Sequence, residues 1–309
     1  MSVEHEVVER TGSTRGVLLG ALGVLGFSFS LPATKLAVAG FDPWLVAFGR
    51  AAGAGLLAVA YLRAAGAARP SGVQARRLVI VALGVVVGFP LLTSLALTSQ
   101  TAAHGAVVIA LLPASTAVFA VVRAGERPST AFWLASGAGL VAVLAFVALT
   151  GGLEGGPRTA DLLLLGAVVA CGMGYAEGGV LARELGGART ISWALVLSLP
   201  VTVPVTVAFA ANGGLGGAGG RAWLGFGYVT VVSMFLAFFA WYAGLARGGV
   251  ARIGQVQLAQ PVLTLLWSAV LLGEPLDALT VVAALGVLAC VVLTQRTRER
   301  GHVGVGRPG

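Results

Sequence analysis

Arg50 sits about seven residues into an apolar run from 43 to 62, roughly 10 Å along a helix. A charge at the centre of a membrane span costs roughly 2.5–3.5 kcal/mol, so such a group faces a cavity or a partner. Its guanidinium is suited to anchoring a substrate carboxylate; bonding helix carbonyls or Glu177 is the structural alternative. Glu177 is the one carboxylate well inside a run, 162–181, and so the candidate proton carrier of a coupled transporter. It also lies near the cytoplasmic end of that run, where hydration or pairing with a nearby arginine is the structural alternative. Gln257, Gln260 and Thr264 are spaced by three and four and share one helix face. A polar stripe facing lipid is unfavourable, so that face looks inward. The run 102–123 adds His104, Ser115 and Thr116.

Pro113 and Pro261 fall inside two of these runs, each removing a helix hydrogen bond, to the carbonyls of Ile109 and Gln257. Freed carbonyls are tolerated where they meet other helices or a wet cavity. The proline breaks and the polar stripe together point to a pocket lined by Arg50, His104, Thr116, Gln257, Gln260 and Thr264. Tyr175, Trp241, Tyr242 and Trp267 can stack on a ring-bearing substrate, although Trp and Tyr also form interfacial belts. Trp44 and Trp223 fit the belt. Lys35, the only lysine, lies near a run's end and can snorkel toward headgroups.

Other chemistries lack their residues. Histidines 5, 104 and 302 are scattered, and Cys171 and Cys290 lie within apolar runs, so no metal-ligand spacing, disulfide or cofactor is expected. No glycine-rich Walker loop with its Lys-Ser/Thr is present, which leaves a solute or proton gradient, or exchange, as the energy source. An intramembrane enzyme needs paired acids, a His-Glu-x-x-His helix or a Ser/His constellation, and none occurs. A channel needs a repeated filter or charged rings, which are also missing.

The elements that position these residues follow from composition. Hydrophobic residues make up 57% and charged residues 10% of 309 positions. Soluble domains carry about 25% charged residues, so this chain cannot face water on all sides. Ten runs are long enough for spans: 16–38, 43–62, 78–97, 102–123, 131–150, 162–181, 190–211, 222–245, 252–272 and 277–295. The net charge of +8 is dispersed in short arginine clusters between the runs, a topology signal and not a nucleic-acid surface. With a cytoplasmic N-terminus, sixteen arginines fall inside and only Arg158 and Arg221 outside. Both termini are therefore expected in the cytoplasm, and no cleaved signal peptide is expected.

The chain is also duplicated. Leu97, Ala103, Val108, Pro113, Thr116, Val122, Gly125 and Glu126 return 148 residues later as Leu245, Ala251, Val256, Pro261, Thr264, Val270, Gly273 and Glu274. Leu19-Gly20-Ala21 and Gly26 return at Leu165-Gly166-Ala167 and Gly172. Five spans per half is an odd number, so the second half enters the membrane inverted, the architecture of alternating-access carriers. The expected fold is all-α, with ten transmembrane helices in two inverted five-helix repeats. The divisions are a tail at 1–15, repeats at 16–150 and 162–295, and a tail at 296–309. Glu126 and Glu274 are read as ending spans and bonding nearby loop amides. Glycine pairs at 16/20, 49/53, 84/88 and 174/178 permit close helix contact.

Ten spans in two halves, each ending its fourth span in Pro…Gly-Glu, resemble the drug/metabolite transporter superfamily, in particular EamA-like transporters. Gly26-Phe27-Ser28-Phe29…Lys35 is similar to that family's first-span pattern, and Arg50 stands where its second span carries arginine. Leu25 replaces a common tryptophan, and the second half has no evident counterpart of Lys35 or Arg50. The resemblance implies a small-molecule carrier in a cell inner membrane, exporting amino acids or related compounds. Export of hydrophobic or cationic drug-like compounds is the alternative. The expected partners are the substrate, the bilayer and coupled protons, with the chain acting as a monomer or weak dimer.

Overall fold

A computed structural model describes residues 2–124, 129–151, 158–215, 217–248 and 256–303, and all regular structure among them is helical. In chain order the apolar helical segments are α1 (Arg15–Val38), α2 (Pro43–Ala64), α3 (Gly72–Ala96), α4 (Ala102–Val122), α5 (Thr130–Phe146), α6 (Thr159–Leu185), α7 (Gly187–Gly213), α8 (Gly220–Arg247), α9 (Ala259–Leu272) and α10 (Ala278–Leu293). Seven of these are long and apolar enough to cross a membrane; α5, α9 and α10 are shorter. The segments match the runs read from sequence to within a turn or two. The expected start of the ninth run at 252 lies outside the described residues, as does Glu126.

Side-chain chemistry sets the helix starts. Asp42 caps α2, its Oδ1 accepting from Trp44 N at 2.8 Å and Leu45 N at 3.3 Å, with Pro43 as the first helical residue. Ser71 and Gln74 form a reciprocal capping box at α3. Thr101 Oγ1 accepts from His104 N at 3.0 Å to start α4. Gly273 ends α9 in the left-handed region, φ +67°, which explains the glycine of the repeated Gly-Glu pair. Both expected polar tails are helical where described: α1 continues back to Ser2 and α10 forward to Val303. No proline interrupts either stretch, and extending an existing helix needs no new nucleus.

The helices are interrupted in matching places. The run of α4 breaks at Ala110, between Ile109 and Leu112, and a turn at Leu258, one repeat offset later, precedes α9. Each break lies three residues before a proline. A wider π-helical segment occupies Ala82–Gly88 of α3 and Val229–Leu236 of α8, again at the repeat offset. Such segments recur at functional sites.

Packing pairs each helix with one from the other half: α1 with α8, α3 with α6, α2 with α7, α4 with α9 and α5 with α10. Exchanging the halves maps this set onto itself. The α1–α8 and α3–α6 contacts are nearly backbone to backbone. A Cβ on Gly244 would lie 2.7 Å from Gly20 N, and one on Gly84 would lie 2.3 Å from Ala170 O.

Candidate functional site

The cleft at the centre begins where α1 breaks at Phe29, the residue between helices Ser2–Ser28 and Ser30–Val38. That break frees polar groups inside an apolar bundle. Ser28 Oγ accepts from Trp267 Nε1 at 2.9 Å, and the Thr264 hydroxyl lies 2.9 Å from Ser28 O. Phe29 stacks on Trp267 with centroids 4.3 Å apart. One residue further, the Ser30 and Ser233 hydroxyls are 2.7 Å apart, Ser233 coming from the π segment of α8.

Arg50 completes this cluster from α2. It is 2% exposed, donating from Nη2 to Ser233 Oγ at 3.2 Å and from Nη1 to Thr34 Oγ1 at 3.5 Å. Its Nε makes no hydrogen bond. The surrounding cleft has Phe27, Tyr175, Met234 and Phe238 on its apolar walls and is also lined by Gln260. Among the described residues, no carboxylate lines it. An adjoining cleft is lined by Pro113, Gln257, Gln260, Pro261 and Thr264, and shares Leu31, Ile109, Leu112 and Gln260 with the first. Both are narrow, with little more than water-sized gaps between the walls. Gln257 Nε2 and Gln260 Oε1 are buried without hydrogen-bond partners, one a donor and one an acceptor.

The structure therefore brings together Arg50, Tyr175, Gln257, Gln260 and Thr264, along with both prolines. It does not bring His104, Thr116, Trp241 or Tyr242 to the cleft walls. His104 turns to Asp161, with Nε2 and Oδ1 2.7 Å apart. Thr116 bonds its own helix at Leu112 O, 2.9 Å away. Trp241 packs behind the wall against Phe27 and Tyr175, at ring centroids of 6.2 and 6.0 Å. The Tyr242 hydroxyl is pressed against Gly178, where an added Cβ would lie 2.2 Å away.

Glu177 is also remote from the cleft walls. It pairs with Arg77 Nε, whose Nη1 bonds Glu184 at 2.8 Å, so a guanidinium from α3 bridges two carboxylates of α6. Lys35 does not reach for headgroups: Nζ donates to Leu97 O at 2.8 Å and Gln100 O at 2.7 Å. Ser30, Thr34, Ser233 and Asp161 were not singled out from sequence. Small hydroxyls in an apolar run carry little signal by themselves. Asp161 falls one residue before the expected start of its span, yet it is 1% exposed.

The EamA-like transporter family model matches twice, over residues 14–148 and 158–296, one match for each half. An uncharacterized transporter of Bacillus subtilis (strain 168), YdeK, is 45% identical over 284 residues, covering 92% of this chain and 98% of its own. A solved crystal structure of a protein at 20% identity shares the fold, with a TM-score of 0.62 over 93% of this chain and 98% of the other. With a family match in each half and a relative of this closeness, the chain belongs to the EamA-like transporter family, as a membrane transporter of many helices.

Proposed function

We propose that the chain is a secondary transporter that moves small metabolites, amino acids or related compounds, outward across a cell inner membrane by alternating access. In this reading it spans ten times in two inverted five-helix repeats, with both termini cytoplasmic. The end holding Lys35, Asp161 and Glu274 then faces outward, by the arginine distribution. The narrow cleft is an occluded state. Its opening to one side or the other exchanges the shapes of the two halves.

The observation that carries the substrate class is the environment of Arg50. A guanidinium at membrane depth, contacted by hydroxyls and by no carboxylate, needs a counter-ion. A substrate carboxylate supplies one and can take the unused Nε–H. Gln260 Oε1, on the same cleft, is an acceptor without a partner among the described residues and suits an ammonium. Phe27, Phe238 and Met234 offer an apolar wall to a side chain once the cleft widens.

The test is counterflow into liposomes containing the purified protein, using labelled amino acids in pools. Accumulation that an Arg50→Met variant loses supports the reading. Movement of hydrophobic cations with no amino acid transport would replace it with the drug-efflux alternative.

A further inference from the structure

Of the three histidines, only His104 lies in an apolar segment, and its partner is an acid. His104 near the start of α4 is 8% exposed and Asp161 near the start of α6 is 1% exposed. Their contact joins the first half of the chain to the second. Asp161 Oδ2 accepts from Arg158 N at 3.3 Å, which caps α6 without any need for a histidine. Phe146 of α5 packs against the imidazole with centroids 4.9 Å apart.

The charged groups around the pair have other partners. Glu274, beyond α9, binds the amides of Ala102 and Ala103. Lys35 of α1 binds the carbonyls of Leu97 and Gln100. Asp277 caps α10 at Thr280 N, 2.7 Å away, and Arg221 of α8 donates to Leu271 O at 3.1 Å. Arg158 precedes Asp161 on its own helix, and segments α5 and α10 contain no charged residue.

At the opposite end the halves are joined by Arg77 with Glu177 and Glu184, and a guanidinium keeps its charge at any physiological pH. An imidazole gains or loses charge between about pH 5 and 8. The sequence repeat places Arg252 opposite His104 and Arg15 opposite Asp161, at the offsets of 148 and 146 seen in those regions. The imidazole–carboxylate pair thus belongs to one end alone.

We propose that the His104–Asp161 pair is a proton-binding site that ties α4 to α6 when protonated and loosens them when the proton leaves. The inference rests on the reading of the chain as a gradient-driven carrier. Nε2 is engaged by Asp161, so the added proton goes to Nδ1. With the added proton the pair becomes an imidazolium–carboxylate ion pair, a stronger tie than the neutral imidazole's N–H donated to the same carboxylate. Loss of the proton from Nδ1 restores that weaker bond.

Two readouts test this without a substrate. The first is an NMR titration of histidine-labelled full-length protein in detergent. All three imidazoles are expected to give ring signals that move with pH. Variants His5→Gln and His302→Gln identify two of them, and Asp161→Asn shifts the third. Only two titrating imidazoles would overturn the proposal, even if a His104→Gln variant failed to fold. The second follows Gln100→Cys, at a position 8% exposed, in protein with Cys171 and Cys290 replaced by alanine. Its labelling by an impermeant maleimide is divided by the rate in the same protein carrying His104→Gln, which removes the reagent's own pH dependence. The ratio is expected to rise about fivefold from acid to alkaline pH, and a flat ratio overturns the latch. Titration as described without amino acid counterflow sinks the amino acid reading alone. Counterflow without a third titrating imidazole sinks the proton site alone.

Discussion

Glu274 reaches from the end of α9 to the first amides of α4, with Oε1 2.9 Å from Ala102 N and Oε2 2.8 Å from Ala103 N. One carboxylate from the second half therefore caps a helix of the first. Gly273 makes this reach available by turning the chain through the left-handed region just before it. Lys35 completes the corner, satisfying carbonyls at the end of α3 while Glu274 satisfies amides at the start of α4. Each charge also complements the dipole of the helix end it meets. Glu274→Ala is expected to lower stability by about 1–2 kcal/mol, and Glu274→Gln, which keeps one acceptor, by less. A thermal melt in detergent reads both; equal midpoints for all three proteins would show that the cap is idle.

Arg50 makes the opposite kind of prediction, a loss of function with the fold retained. Its neighbours are hydroxyls, which can bond one another once the guanidinium is gone. A buried charge without an acid beside it contributes little to folding. Arg50→Met is expected to keep the wild-type thermal midpoint or raise it while abolishing counterflow. Arg50→Lys keeps the charge but loses the fork geometry, and should weaken apparent affinity about tenfold or more. Unchanged counterflow in Arg50→Met would remove Arg50 from the substrate path.

Sequence alone exposes what composition and spacing determine. Long apolar runs mark the helices, and Gln257, Gln260 and Thr264 can only share a face once they lie on one helix. All three line the cleft. The π segments of α3 and α8 were not legible, because no residue type marks a widened helix turn. Ser30 and Ser233 meet across 203 residues of chain, a relationship that no local pattern encodes. Asp161 was missed because the expected span began at 162, whereas the helix begins at Thr159. Lys35 was read as seeking headgroups because the corner between α3 and α4, which covers it with carbonyls, exists only in the assembled bundle.

The contact between α3 and α6 gives a steric prediction with a built-in control. A methyl on Gly84 would press on Ala170 O and on the backbone of Gly174, neither of which can rotate away. Gly84→Ala is expected to cost about 1–3 kcal/mol by overpacking. Gly227 on α8 has no atom within 4 Å of an added Cβ, so Gly227→Ala is expected to be neutral or slightly stabilising. The yield of monodisperse protein after heating separates the two, and a Gly84→Ala variant as robust as Gly227→Ala would contradict the close approach.

Arg77 and Glu177 call for a double-mutant cycle. The Glu177 side chain is 5% exposed and that of Arg77 17%, so their contact is largely shielded from water. Removing Arg77 takes from a buried carboxylate the guanidinium it pairs with, and breaking a buried ion pair costs up to about 3–5 kcal/mol. Water reaches Arg77 more readily than Glu177, and Glu184 lies at the exposed edge, so the lower part of that range is expected for Arg77→Gln. Glu177→Gln in the Arg77→Gln background removes the buried negative charge as well, and the double variant should recover part of the lost stability. Such recovery, measured as thermal midpoint alongside counterflow, would identify the pair as a structural tie at the Arg77 end. If Glu177→Gln alone leaves the midpoint unchanged but abolishes pH-driven transport, then Glu177, and not the His104–Asp161 pair, carries the coupled proton.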